Sequence, residues 1–419
     1  VERKLQEICH KYLIHYWREI LVRLENLLWE SAFLTFPLLS IEIFRISSTF
    51  FETPIFFVIL LIIFFLYIIE LFVSDRAQII RLSPLSEIFI LLFLFFIFLH
   101  IINTLRSADM DRALKDDIKL ISCFIISITL ILRFPLSKQK ILISLMIFSS
   151  TILIGIYLFR YFFILKAPYL SIGWSEISEH GKNQMGLYLA IVTPFIFWKN
   201  IYEKFSFYNL LSLLIHISAV LYTLSRGTWI SLFASIVVAT IIFLTKKEKL
   251  KINLNFIRNF FLGILIVAVL FFYFYSKLPF SDVFRLRLQS IFSLEDYANR
   301  RSISLRKEYI RTSIDYFAGN PLFGIGTSNF YGFTLFVNHN DYLQILCEQG
   351  IIGFVTFLGI LFVILYCLFN VNIKEYESLS LINSSLSIIL YFNFVNTYNV
   401  IIIYVIWSML LRQNLRRKM

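Results

Sequence analysis

Apolar runs of about 16 to 25 residues, the length needed to cross a bilayer, recur from one end of this chain to the other. They lie near residues 28–45, 54–73, 85–104, 116–133, 139–163, 185–200, 206–224, 228–245, 257–277, 350–371, 378–395 and 398–412. No soluble fold hides that much apolar surface. The expected class is therefore all-α, a polytopic membrane protein of about twelve transmembrane helices with both termini on one side. Composition agrees, because 58% of the 419 residues are hydrophobic and only 16% are charged, far from the balance of a soluble domain. Gly (13) and Pro (8) are scarce. That scarcity predicts continuous spans and counts against a transporter built on unwound helices.

The formal charge of +12 is dispersed through short loops, so nucleic acid is not the expected partner; alternate loops carry the positive-inside bias instead. One set holds Arg76 and Arg81, then Arg133, Lys138 and Lys140, then Lys199 and Lys204, then Lys246, Lys247, Lys249 and Lys251, then Lys374, and last Arg412, Arg416, Arg417 and Lys418. This set is expected on the cytoplasmic side. The opposite set contains a mixed-charge loop at 105–115, a loop around Trp174 to Lys182, the tight Ser225-Arg226-Gly227 turn and a long segment from 278 to 349. The cysteines Cys9, Cys123, Cys347 and Cys367 form no CxxC pair and read as core residues.

Residues 1–30 carry charges throughout in place of the compact apolar core of a cleavable signal peptide. Leu5, Ile8, Tyr12, Leu13 and Tyr16 at helical spacing oppose Glu2, Lys4, Lys11 and Arg18, the pattern of an amphipathic helix lying in the interface. The expected layout is thus an interfacial helix over 1–27, transmembrane helices 1–9 over 28–277, a long helical outer loop with the polar motifs over 278–349, and helices 10–12 with a basic cytoplasmic tail over 350–419.

Chemistry-bearing residues gather in the outer set. The long segment holds Arg285, Arg287, Arg300, Arg301, Arg306, Lys307 and Arg311, although outer loops are normally poor in Arg and Lys. Either these form a solvated helix with pairs such as Glu308 to Arg311, or their guanidinium forks meet a polyanion at the outer surface. Arg226 stands in a short connection between two apolar helices. A guanidinium at membrane depth sits against a partner or a watery cavity, unless it snorkels to the interface. Gly227 is expected to allow a sharp turn that aims Arg226 inward.

Ser304-Leu305-Arg306 is expected to open a helix that Gly319-Asn320-Pro321 ends, with Gly324 and Gly326 allowing a close turn. The Gly-Ile-Gly lacks the third glycine and the preceding strand of a nucleotide loop. His339, in Asn338-His339-Asn340-Asp341 ahead of a helix that enters the membrane, is where proton chemistry is available. The plainer reading makes Asn338 or Asn340 a helix cap and His339 an interfacial residue. Lys182 and Asn183 lie where an outer loop re-enters the membrane, as ligands or interface anchors, and His180 is a weaker rival to His339.

In order, Ser225-Arg226-Gly227, Ser304-Leu305-Arg306, Asn320-Pro321-Leu322-Phe323-Gly324-Ile325-Gly326 and His339-Asn340-Asp341-Tyr342-Leu343-Gln344, followed by Glu348, Gly350 and Gly353, resemble the O-antigen ligase family. That family also contains O-antigen polymerases and some protein O-oligosaccharyltransferases. The motifs cover residues 182–355, and Tyr309 stands near the place where many relatives have Trp.

The resemblance implies a metal-independent, inverting glycosyltransferase of the GT-C type in the bacterial inner membrane, with its active site facing the periplasm and no cofactor. Its donor would be an undecaprenyl-pyrophosphate-linked glycan, and its acceptor a lipid A-core sugar in a ligase or a growing lipid-linked glycan in a polymerase. By motif position the family's essential arginines fall on Arg226 and Arg306, and its histidine on His339. Lys182, Asn183, Arg301 and Asn340 are the expected substrate contacts, and no carboxylate cluster suited to a divalent metal is evident. Ligase is the expected activity, with polymerase or protein glycosylation as alternatives. From outside the family, a polytopic lipid or solute transporter would need ionisable pairs on several central helices, and the sequence offers none there.

Overall fold

The computed structural model describes residues 20–35, 45–47, 52–73, 82–164, 179–203, 206–245, 258, 262, 265, 269, 297–334, 340–371, 373, 375–394 and 400–415. Within them the apolar runs are helical. α1 covers 20–35, and α2 Ile55–Val73, α3 Pro84–Thr104, α4 Met110–Arg133, α5 Gln139–Phe159, α6 Glu179–Tyr202, α7 Phe207–Tyr222 and α8 Arg226–Thr245 follow. Then come α9 Tyr297–Gly319, the short α10 Asn329–Thr334, α11 Asp341–Asn370, α12 Tyr376–Tyr391 and α13 Ile401–Leu415. A three-residue antiparallel pair, Arg45–Ser47 with Glu52–Pro54, precedes α2. α1 runs without a break through residue 28. The interfacial spacing expected over residues 1–19 and the span near 257–277 lie outside the described residues, the four single positions from 258 to 269 apart.

Among the described residues, four helices are long and apolar enough to cross a membrane: Pro84–Thr104, Leu136–Phe159, Arg226–Thr245 and Asp341–Asn370. Shorter apolar helices cover Val58–Glu70, Phe207–Tyr222 and Ile402–Gln413. Local chemistry sets several ends. Ser83 caps α3 by accepting from the Ser86 amide at 3.1 Å, with Pro84 in the first turn. Asp109 accepts from the Arg112 amide at 3.1 Å at the start of α4. Such caps satisfy orphan donors that lipid or a packed interior cannot.

The centre is α12, in which nearly every residue is buried, packed against α6, α8 and α13. Its sequence YESLSLINSSLSIILY explains the position, because small hydroxyl residues let helix backbones approach and supply interhelical bonds where lipid supplies no hydrophobic drive. Ser384 donates to the Ile191 carbonyl at 2.7 Å, and Ser387 and Ser235 share a bond at 2.6 Å. α11 packs on α3 and α9, and α13 on α4.

The two ends of this bundle differ. At one, Arg133 pairs with Glu70 and Glu25, Lys138 with Glu30 at 3.1 Å and Lys140 with Glu203 at 3.0 Å. At the other, the last turn of α3, the start of α4 and the middle of α11 meet the segment 320–334, and the end of α12 meets the start of α11. α11 begins nine residues ahead of the run expected at 350–371. Gly350, at φ 65 and ψ −168, divides it into two helices.

Candidate functional site

The turn that carries Arg226 is built by its neighbours. Leu224 takes the left-handed conformation (φ 50), Thr223 Oγ1 donates to the Val220 carbonyl at 2.7 Å, and the Ser225 amide donates to Thr223 Oγ1 at 3.3 Å. Gly227 is therefore not the turn residue; it is the second residue of α8, and its missing Cβ is required because one would lie 2.8 Å from Phe394 Cβ. Likewise a Cβ on Gly186 would lie 2.0 Å from Thr228 Oγ1, so α6 and α8 touch backbone to side chain here. Ser225 Oγ donates to Asn183 Oδ1 at 3.4 Å, and Tyr391 OH donates to the Asn183 carbonyl at 2.7 Å. Asn183 and the Arg226 turn are thus brought together, with Arg226 half-buried at the first residue of α8. Its guanidinium and the positive end of that helix give the spot a potential that favours anions.

Residues 320–326 lie against the break in α11. The Ile351 and Ile352 amides donate to the Pro321 and Leu322 carbonyls at 2.9 and 3.4 Å, while the Ile325 and Gly326 amides donate to the Cys347 and Glu348 carbonyls at 2.9 and 3.1 Å. The loop therefore satisfies the backbone groups that a broken helix leaves orphaned, which is the condition for non-helical backbone at membrane depth. It demands glycine. A Cβ on Gly324 (φ 69) would lie 2.4 Å from the Glu348 carbonyl carbon, and one on Gly350 would lie 2.4 Å from the Leu322 oxygen.

A buried polar network fastens that loop to α3 and α4. Asn103 Nδ2 donates to Gln349 Oε1 at 2.6 Å, Gln349 Nε2 to Thr327 Oγ1 at 3.0 Å, and Thr327 Oγ1 to the His100 carbonyl at 3.1 Å. His100 Nδ1 lies 2.5 Å from Asp117 Oδ1. Asn329 accepts from the Ala108 amide at 2.7 Å and donates to the Ile325 carbonyl at 2.7 Å, and Ser328 donates to Asp116 at 2.8 Å. Glu348, 1% exposed, accepts from the Phe330 amide and from Gln344 Nε2, both at 3.2 Å. Sequence reasoning missed His100 with Asp117 and gave Asn103 and Gln349 no role. Four residues from the end of an apolar helix, His100 reads as an interface side chain, and Asp117 as one of several charges at the start of α4.

Arg306 is exposed on α9, nine residues past the start of that helix, so it does not open it. The neighbouring face of α9 packs through Leu305, Tyr309 and Tyr316 on Ile325, Phe330 and Cys347. Tyr309 thus fills the seam between α9 and the glycine loop. Asn340 is the N-cap of α11, accepting from the Leu343 amide at 3.0 Å, and the buried Asp341 beside it donates its amide to the Phe392 carbonyl at 2.9 Å. His339 lies outside the described residues, as do the side chains of Lys182, His180 and Arg301. Cys123, Cys347 and Cys367 are buried, as core residues should be.

Fold and site together define a predominantly helical membrane protein with a loop-capped helix break and a buried polar network at one end of its bundle. Residues 211–358 match the family described as O-antigen ligase. The matched stretch runs from α7 into the second half of α11 and includes Arg226, Arg306 and the glycine loop. No curated protein is matched.

Proposed function

We propose that this protein transfers a preassembled glycan from undecaprenyl pyrophosphate to a sugar hydroxyl of lipid A-core, without metal and with inversion. The observation that carries the reading is Arg226, a half-buried guanidinium at the first residue of α8, tied through its turn to Asn183 and lying within the matched segment. A polyprenyl pyrophosphate is an amphiphile whose anionic head belongs at such a spot.

The acceptor oxygen attacks the anomeric carbon from the side opposite the pyrophosphate. A new glycosidic C–O bond forms as the old C1–O bond breaks, and its electron pair leaves on the pyrophosphate oxygen. Arg226 and Arg306 bind the growing negative charge; preorganised donors of this kind are each worth about 10²–10³ in rate. His339 takes the hydroxyl proton, worth about 10²–10⁴. Lys182, Asn183, Arg301 and Asn340 contact the substrates.

In this reading the chain crosses the inner membrane about twelve times in a GT-C arrangement, with the site end in the periplasm. The end bearing Arg133, Lys138 and Lys140 is cytoplasmic, in keeping with the positive-inside bias. Reconstituted protein supplied with undecaprenyl-pyrophosphate-linked repeat units and lipid A-core is expected to form glycosylated lipid A-core. Repeat units joined to one another, with lipid A-core untouched, would make it a polymerase. No transfer to either would overturn the reading.

A further inference from the structure

We infer that the outer face of α9 is a membrane-contact surface, with Ile310 and Ile314 seated among the acyl chains of the bilayer interface. The inference rests on the membrane reading above but not on the transfer chemistry.

α9 has three faces. One packs on the protein through Leu305, Tyr309 and Tyr316. A second presents Ile310 and Ile314, 43% and 49% exposed and one turn apart. The third carries Glu308, Arg311 and Asp315, all exposed. At about 100° per residue, Arg306 falls about 40° to one side of Ile310 and Lys307 about 20° beyond Ile314. An apolar stripe flanked by long basic side chains is the pattern of a helix lying in the interface, where the stems follow the apolar surface and the charged heads reach phosphate.

The stripe does not stand alone. Leu322 and Phe323, just past the end of α9, are 58% and 44% exposed. The Leu322 carbonyl accepts from the Ile352 amide, so this apolar pair sits at the first turn of the second half of α11. From there Ile351, Val355, Leu358 and Phe362 continue as an exposed row along a candidate span, which is the side that faces lipid. The lipid-facing surface thus runs from α11 through Leu322 and Phe323 toward α9. That continuity, with the basic flanks, favours the bilayer over a second copy of the chain. The placement holds Arg306 at the level of the lipid phosphates.

The test uses Ile310→Cys, Ile314→Cys and Leu322→Cys, each carrying a nitroxide, in the full chain with Cys9→Ser. The other cysteines are buried. Labels at Glu308→Cys and Asp315→Cys serve as aqueous references. In vesicles of phosphatidylethanolamine and phosphatidylglycerol, the three apolar positions are expected to collide with oxygen several-fold more, relative to a water-soluble nickel chelate, than the references do. Equal accessibility at all five positions would overturn the inference. So would spin–spin broadening at Ile310 and Ile314 that grows with the protein-to-lipid ratio, which marks a second copy. Glycan transfer is not the readout, so its failure leaves the surface standing, and failure of the surface leaves the transfer reading standing.

Discussion

The Ile351 amide donates to the Pro321 carbonyl at 2.9 Å, and through this bond and its neighbours a loop thirty residues upstream serves as the missing turn of a broken helix. The first half of α11, which begins at Asp341, is thereby aimed independently of the second half, which belongs to a helix long and apolar enough to cross a membrane. The start of α11 is held against the end of α12 by the Asp341 amide and the Phe392 carbonyl. The consequences below follow from this arrangement and from the proposed chemistry.

Gly350→Ala is expected to destabilise the protein strongly. Its φ of 65 is unfavourable to a side chain and its Cβ would meet the Leu322 oxygen, so a cost of at least about 1–3 kcal/mol is expected from strain alone. Gly155→Ala in α5 is the contrast, because nothing lies within 4 Å of its Cβ and alanine favours a helix by about 0.5–1 kcal/mol. Thermal unfolding in detergent, followed by intrinsic fluorescence, should move in opposite directions for the two. A Gly350→Ala protein as stable as the parent would refute the capped-break account.

Glu348→Ala leaves the Phe330 amide and Gln344 Nε2 without their buried acceptor, at about 1–3 kcal/mol for each donor that water does not reach. Glu348→Gln keeps an acceptor oxygen for Phe330, and Gln344 can rotate its amide to meet the new NH2. The glutamine variant should therefore lose clearly less stability than the alanine variant. Equal losses would mean that the carboxylate's charge, not its acceptor geometry, matters.

Arg226→Ala and Arg306→Ala should each lower transfer by about 10²–10³ with the fold retained, and the lysine variants should recover little, since a point charge does not reproduce a bidentate phosphate contact. Steady-state transfer from a lipid-linked donor measures this, with circular dichroism as the check on folding. Activity should persist in excess EDTA. Loss there, restored by Mg²⁺ or Mn²⁺, contradicts an arginine clamp.

His339→Ala should bind lipid-linked donor normally and turn over at least about a hundredfold more slowly. Single-turnover kinetics beside donor-binding measurements separate the two. Near-parental turnover in His339→Ala or His339→Gln removes the base and leaves His339 a positioning residue at the entrance to α11.

Much of this was legible because it is local. The ends of α3 and α8, the stop at Asn320-Pro321 and the cap at Asn340 depend on residues within a few positions of one another. Gly324 and Gly326 were readable as turn residues, but Gly350 read as the first residue of a span, because the apolar run begins there. Gly227 misled in the other direction: its place beside Ser225-Arg226 suggested a turn, whereas Phe394, a distant residue, is what requires it to lack a side chain.

The sequence by itself determined the class, because a backbone in lipid must satisfy itself within each helix and long apolar runs announce that solution. Resemblance to a known family, and not physics read from the residues, is what singled out Arg226, Arg306 and His339 together. Only the tertiary structure decided which buried polar groups meet. Asn103 and Gln349 are 246 positions apart, and Ser328 and Asp116 are 212 apart. Each alone looks like an interface residue, and a hydrogen bond across that separation exists only once packed helices exclude the water that would otherwise satisfy both ends.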